Sequence, residues 1–341
     1  MFTMRKYQLF IGIDISKKWI DVSLTQDGKR TQMCYAQFAN TLSGFKAMLK
    51  FIRKSPKYLT DTTQWLFCLE HTGIYTLPLC KFLQQQELLF HMVSGHHLCK
   101  SIGLRRGKSD KTDSADIARY AFLFADELEP SKLPADKFLK IRSLLSLRAQ
   151  FVKNSAALKV RIKELQFAKN KVFEPSIKYA KEVLTTQQKT IKELDKQILQ
   201  IIKSEEELQR LYVLLCSVKG VGPVIAANLL VFTLGFTAFK TSRQFACYIG
   251  FAPFARTSGS SIARPAKVSH MANKKLKGII SNGAASAMIY DQQLRAFYQR
   301  KIAEGHNKYK IKNAVCNKFL HRIFAVVKRG TPYVELYKHR A

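Results

Sequence analysis

The chain has 341 residues, of which 57 are Lys or Arg and 24 are Asp or Glu, giving a formal net charge of +33. This length suffices for two or three domains with cores of their own, and the hydrophobic content of 47% is ordinary for a globular protein. So large a positive excess predicts a polyanionic partner, for which nucleic acid is the usual candidate and a membrane surface or ribosome-type site the alternative. No apolar run reaches the ~20 residues of a membrane span, so we expect neither a span nor a signal peptide.

The cysteines indicate a reducing compartment. All seven are scattered without a CxxC pair, and the eight histidines do not join them at ligand spacing. This pattern predicts free thiols in a cytoplasmic protein, with neither a disulfide framework nor a zinc site.

Residues 1–130 read as an α/β domain. Apolar or alternating runs predict strands at 8–15, 19–24, 31–38, 65–69 and 88–93, with Asp27-Gly28 as a hairpin turn signal. Helical patterns occupy 42–53, a segment starting near Ile74, and 112–124. The order βββαβαβα resembles the ribonuclease H fold.

Residues 131–211 read as a helical segment and 212–341 as a mainly helical C-terminal domain. Pro175 divides the helical segment into two arms, and Glu205 interrupts the apolar seam of the second arm. We therefore expect a short coiled coil or a helical hairpin with a core or dimer role. A basic helix or helix pair at 291–328 ends at Gly330-Thr331-Pro332.

Four carboxylates stand at positions where metal ligands are expected. Asp14 follows the apolar run of the first strand in FIGIDISK, and Glu70 ends the fourth strand in WLFCLEHTGIY. Asp113 and Asp116 lie three apart in KSDKTDSADIARY, on one face of a helix. Together they suit two Mg²⁺ ions clamping a phosphodiester, with Mn²⁺ as a substitute. Taken singly, each acid reads as a cap or surface charge, and Asp110 is an extra acid that could replace one of the pair.

The segment 208–290 contains no Asp or Glu. An acid-free surface of this length suits contact with phosphates and cannot supply a carboxylate metal site of its own. Its turn VKGVGP resembles a helix-hairpin-helix element, although a plain glycine turn is the alternative. The predicted nucleic-acid contacts are Lys219, Gly220, Gly222, Arg256, Arg264, Lys267, Lys274, Lys275 and Lys277.

A serine-rich loop within this segment carries a candidate nucleophile. Ser258, Ser260 and Ser261 stand in a Gly-containing loop flanked by Arg256 and Arg264. A serine hydroxyl attacks a phosphodiester when it is activated and the transition-state charge is held. By composition alone, such a loop is more typical of a phosphate-contacting or flexible loop.

The motifs together resemble a known family. GIDISK, CLEHTG and KTDSADIARYA look like the DEDD-type domain related to the RuvC junction resolvase. LCSVKGVG, ACYIGFAPFARTSGSS and SHMANKKLKG look like the C-terminal domain of transposases of insertion-sequence family 110, a group that includes the Piv pilin-gene invertase. The stretch Ala263-Arg264-Pro265 and the trio Met271-Ala272-Asn273 depart from the usual family pattern, which has more Gly and Arg.

The resemblance implies metal acids at Asp14, Glu70, Asp113 and Asp116, and a nucleophile at Ser258 that forms a phosphoserine link to DNA. It also implies a composite active site, homodimers assembling into tetramers on two DNA duplexes, and a noncoding bridge RNA that selects target and donor. The implied setting is the prokaryotic cytoplasm. Two other functions stay open: a junction nuclease that hydrolyses DNA with metal-activated water, and a nucleic-acid-binding protein without catalytic activity.

Overall fold

A computed structural model describes residues 6–54, 61–71, 73–103, 109–258, 262–269 and 271–335, with the backbone alone at 255–258 and 262–266. The chain forms two compact units, Met1–Leu133 and Pro134–Ala341. The sequence-based boundaries at 130/131 and 211/212 stay predictions. Among the helices of the described segments, none combines the length and the apolar composition needed to cross a membrane.

The first unit is built on a five-stranded mixed sheet in the order β3-β2-β1-β4-β5. β2 runs antiparallel to β1 and β3, whereas β1, β4 and β5 are parallel. The strands are β1 (Leu9–Ile15), β2 (Trp19–Thr25), β3 (Cys34–Ala39), β4 (Trp65–Glu70) and β5 (Phe90–Val93). The helices are α1 (Leu42–Lys54), α2 (Leu77–Gln85), α3 (Gly95–Ile102) and α4 (Asp110–Leu123).

Helices cover both faces of this sheet because its central strands are apolar on both sides. On one face, α1 buries Phe45, Met48, Leu49 and Ile52, whose spacing makes one stripe along the helix. On the other face, Ile117, Tyr120 and Ala121 of α4 pack with Phe10, Leu66 and Cys68 of the sheet. The expected ribonuclease H-like α/β layout is confirmed.

Helix α3 is not among the elements that the sequence pattern predicts. Its first residues, Gly95-His96-His97, have low helix propensity, and the helix is only eight residues long. Ser94 starts it by accepting a hydrogen bond from the His97 amide at 3.2 Å. The Ser94 cap is the sequence signal that indicates this helix.

The second unit is mostly helical. Its helices are α5 (Asp136–Phe167), α6 (Glu174–Lys203), α7 (Glu206–Ser217), α8 (Pro223–Phe232), α9 (Ser242–Ile249), α10 (Lys274–Tyr290), α11 (Gln292–Ala303) and α12 (Lys308–Arg329). Between α9 and α10 lies an antiparallel hairpin of β6 (Pro253–Ser258) and β7 (Ile262–Val268). The expected helix pair at the C-terminal end is present as α11 and α12, and Gly330 ends α12 with a φ of 72°.

Helices α5 and α6 form an antiparallel hairpin. Arg148 bonds Asp195 at 2.5 Å and Ser155 bonds Gln187 at 2.9 Å, so residue numbers on one helix rise as those on the other fall. Pro175 lies in the first turn of α6, where its missing N–H costs nothing. Of the two forms expected for this segment, the helical hairpin is the one observed.

Candidate functional site

Asp14 is the centre of an acidic cluster at the end of β1. Its Oδ1 accepts a hydrogen bond from the Ile15 amide at 3.0 Å. Partial burial raises the pKa of Asp14 to about 6, and the negative charges of Asp113, Asp110 and Glu70 add to this effect. The end of β1, the end of β4 and the first turn of α4 therefore bring their acids into one electrostatic environment.

The position of α4 depends on Gly12. A Cβ at this position would collide with the backbone of Ser114 and Ala118, so α4 rests directly on β1 there. Ser109 caps the helix through a capping box with Thr112. Because the helix starts at a fixed residue and crosses β1 at Gly12, its first turn lies beside Asp14.

Glu70 is positioned by the start of α3. A Cβ at Gly95 would collide with Glu70 Oε1, so this carboxylate lies against the first residue of the helix. The partial positive charge of a helix N-terminus stabilises a carboxylate in that place. The glycine at position 95 therefore provides the room that Glu70 occupies.

Asp116 has a different environment from its neighbour Asp113. It is only 7% exposed, and Arg30 Nη2 donates to its Oδ1 at 2.8 Å. Asp110 raises the pKa of Asp14, whereas Asp116 is engaged by an arginine from the segment after β2. Asp110 and Asp116 each lie three residues from Asp113, so the alternative noted from sequence stays open.

The donor set fits a hard divalent cation. Carboxylate oxygens are the ligands that Mg²⁺ and Mn²⁺ prefer. Across the residues with described side chains, no three His, Cys, Asp or Glu groups are arranged as a formed metal centre. Like-charged carboxylates repel one another unless a cation lies between them, so such ligands come together around the ion itself.

The glycine turn between α7 and α8 has one packed and one open glycine. Gly220 has a φ of 94°, and a Cβ there would collide with Gly283 O and approach Ala287 of α10. At Gly222, the N-cap of α8, nothing lies within 4 Å of a Cβ position. Lys219 pairs with Glu335 at 2.7 Å. Packing against α10 explains Gly220, while Gly222 leaves backbone accessible.

Ser258 is the last residue of β6 and pairs with Ile262 in the hairpin register. Arg256 pairs with Arg264 in the same ladder. The sequence interpretation places Ser258 in a loop, and the structure places it at the end of a strand because the flanking segments pair as a β-hairpin. Ser260 and Ser261 lie outside the described residues.

The predicted phosphate-contacting lysines fall into two groups. Lys267, Lys274 and Lys275 are exposed, and the last two begin α10. Lys277 instead donates from Nζ to Gly250 O at 2.7 Å and lies 5.3 Å from the centre of the Phe251 ring. Lys277 thus fastens the end of α9 to α10, while the other three face solvent.

The start of α10 is unusual electrostatically. Helix N-termini favour acidic residues, yet the first turn of α10 has no acid and two lysines. Helices α8, α9, α11 and α12 also have no acid in the first turn. Amides and lysines together at a helix start suit an anionic ligand such as phosphate.

Comparisons with known proteins agree along most of the chain. Residues 11–166 match a family model described as a transposase, the DEDD domain of IS110 elements. Residues 212–299 match the model described as transposase IS116/IS110/IS902 family.

Three relatives show the same similarity. The pilin gene-inverting proteins of Moraxella bovis and Moraxella lacunata are each 27% identical over 335 residues, covering 95% of this chain and 97% of the relative. An uncharacterized 43.6 kDa protein of insertion element IS110 from Streptomyces coelicolor is 32% identical over 119 residues, which are 35% of this chain and 29% of the relative.

The DEDD domain implies use of a divalent metal, and the family as a whole implies cleavage of DNA. The two domain matches in sequence order, with the resemblance of the front and back motifs, assign the chain to the IS110 family of transposases.

Proposed function

We propose that this transposase cuts and exchanges DNA strands through the Ser258 hydroxyl, with Mg²⁺ held by Asp14, Glu70, Asp113 and Asp116. The observation that carries the metal site is the raised pKa of Asp14 beside the negative charges of Asp113 and Glu70. Clustered acids are costly in a folded protein unless a function requires them. Asp110 replaces Asp116 as the fourth ligand if Arg30 keeps its hold on Asp116.

The cation supplies charge stabilisation to the phosphate oxygens, with Mn²⁺ as a substitute for Mg²⁺. The protein's own contribution is to hold the ligands in place. α4, packed onto β1 at Gly12, fixes Asp113, and the start of α3 fixes Glu70. The segment 208–290 contains no Asp or Glu, so the ligands come from the first unit or from another protomer.

Ser258 supplies the covalent step in this proposal. Its Oγ forms a bond to the phosphorus of a DNA phosphodiester while a P–O bond to deoxyribose breaks, and the serine proton is passed to a base. The phosphate ester energy is conserved in the serine link, so the released deoxyribose hydroxyl of another strand can reverse the step. Strand exchange therefore needs no added energy source.

The basic second unit supports nucleic acid as the substrate. Exposed Lys267, Lys274 and Lys275 lie near helix and strand ends in a region free of acids. The net charge of +33 suits simultaneous binding of double-stranded DNA and a bridge RNA. The proposal includes dimers that assemble into tetramers, with each active site composed of parts from different protomers.

A covalent-adduct assay tests the serine mechanism. Labelled DNA carrying the element ends is incubated with protein and Mg²⁺, denatured, and run on a gel with and without protease. Wild type is expected to give a protease-sensitive DNA adduct that Ser258→Ala loses, whereas Ser260→Ala and Ser261→Ala keep it. Strand transfer by Ser258→Ala at the wild-type rate would show that another group is the nucleophile.

The same gel distinguishes the two other functions. A junction nuclease that uses activated water would leave free DNA ends without attached protein and would tolerate Ser258→Ala. A binding protein without catalytic activity would give no cleavage with Mg²⁺ or Mn²⁺. Sequencing of RNA that copurifies with the full chain tests the bridge RNA, for which one defined species is expected.

A further inference from the structure

A fifth carboxylate, Asp21, lies beside the acidic cluster. In the antiparallel pairing of β1 with β2, Asp21 is directly opposite Asp14. Residues directly opposite one another point to the same face of a sheet, with Cβ atoms about 4.5–5.5 Å apart. Asp21 is therefore a neighbour of Asp14 on the α4 face, and it is only 2% exposed.

The position of Asp21 completes a polar row across four strands. Ile13 pairs with Leu69, so Glu70 of β4 is next to Asp14 of β1. On the other side, Asp21 of β2 pairs with Gln37 of β3. The row runs from the metal acids into the interior of the unit, where Asp21 is the most buried of its charged members.

Asp21 is held by two neutral donors. Its Oδ1 accepts a hydrogen bond from Tyr35 Oη at 2.5 Å and another from Gln37 Nε2 at 3.1 Å. The hydrogen bond to Asp21 is the main reason why the pKa of Tyr35 is raised to about 12, so the phenol remains a donor at neutral pH. Lys111 Nζ lies 5.4 Å from the centre of the Tyr35 ring. Neutral donors orient a carboxylate without cancelling its charge.

Two like charges directly opposite in a sheet destabilise it, so an acid at this register is costly without a counter-ion. A divalent cation at Asp14 would convert that cost into an attraction. Tyr35 and Gln37 turn the Asp21 carboxylate toward β3, which keeps it from competing for a ligand position.

We infer that Asp21 is a positioning residue of the metal site, whose buried charge strengthens cation binding at Asp14 while Tyr35 and Gln37 hold it outside the ligand set. This inference rests on the proposed metal site. Groups that act behind metal ligands typically change metal affinity about 10–100-fold when they are removed.

The test measures Mn²⁺ affinity of the full chain by electron paramagnetic resonance of the free ion, so activity is not the readout. The site is defined as the Mn²⁺ binding that Asp14→Asn abolishes. Asp21→Asn keeps the shape and an acceptor for Tyr35 but removes the charge, and we expect affinity to fall at least about 10-fold. Tyr35→Phe removes only the clamp, and we expect affinity equal to or above that of wild type. Asp126→Asn, an exposed acid after α4, is the matched control and leaves affinity unchanged.

The possible results separate the two proposals. Mn²⁺ binding by wild type that Asp21→Asn leaves unchanged overturns the role of Asp21 alone. A wild-type chain without binding at this site overturns the metal site and the inference with it. Equal weakening by Asp21→Asn and Tyr35→Phe indicates a purely structural hydrogen bond and also overturns the inference. If Asp21→Asn fails to fold, Tyr35→Phe decides: a drop in affinity of about 10-fold contradicts the inference, and wild-type or tighter binding supports it.

Discussion

Replacing Asp14 with asparagine should stabilise the metal-free protein. The change keeps the shape of the side chain and an oxygen that can accept from the Ile15 amide, but it removes the charge that Asp113, Asp110 and Glu70 oppose. The first unit of wild type therefore folds against an electrostatic cost at neutral pH that the variant lacks.

The magnitude follows from the pKa of Asp14. The rise from 3.8 to about 6 corresponds to roughly 3 kcal/mol at about 1.36 kcal/mol per unit. Since the side chain is partly exposed and screened by water, we expect about half of this, ~1.5 kcal/mol. A group with a raised folded-state pKa gives stability at low pH that is lost as the pH rises. The advantage of Asp14→Asn should thus be near zero at pH 4, grow through pH 6 and be complete at pH 7.5.

Tryptophan fluorescence provides a selective assay. The chain has two tryptophans, Trp19 and Trp65, and both lie in the first unit. Trp65 is 1% exposed on β4, so its emission should report unfolding of this sheet. Urea titrations in chelator at pH 4, 6 and 7.5 give the free energy of unfolding. In excess Mg²⁺ the order should reverse, because only wild type binds the ion. A variant that is no more stable than wild type at pH 7.5, or a pH-independent difference, would refute this reasoning.

Three further substitutions test the geometry. Gly12→Ala should destabilise the first unit by about 3 kcal/mol in the same urea assay, because its methyl group meets the backbone of α4; an effect below about 1 kcal/mol would contradict the close packing. Gly95→Ala should leave stability within about 1 kcal/mol of wild type, since the end of the Glu70 side chain can move, yet weaken Mn²⁺ binding; unchanged Mn²⁺ affinity would argue against Glu70 as a ligand. Lys274→Gln with Lys275→Gln should reduce the slope of log K against log salt for duplex DNA by roughly 0.9 for each phosphate that these lysines neutralise, and an unchanged slope would remove the start of α10 from the DNA surface.

The sequence by itself determined most of the fold and the neighbourhood of the metal acids. Period-two and period-3.6 patterns are local, and β1, α1 and α4 follow from them within a few residues. An acid at the end of an apolar strand is a local signal too, which is why the sequence alone indicates Asp14 and Glu70. The β6–β7 hairpin does not follow from the pattern because its strands are short and Pro265 obscures the alternation.

Only the tertiary structure decided the partners of those acids. Asp110 and Asp116 are equally spaced from Asp113, and nothing local reveals that Arg30, 86 positions away, bonds Asp116. The register that sets Asp21 opposite Asp14 comes from strand pairing, as does the contact of Tyr35 with Asp21. A side chain's type is written in the sequence, but its electrostatic environment depends on which distant backbone segments pack beside it. The charge of this protein could therefore be read from composition, whereas the role of each carboxylate depends on the packing of α4 and β2 against β1.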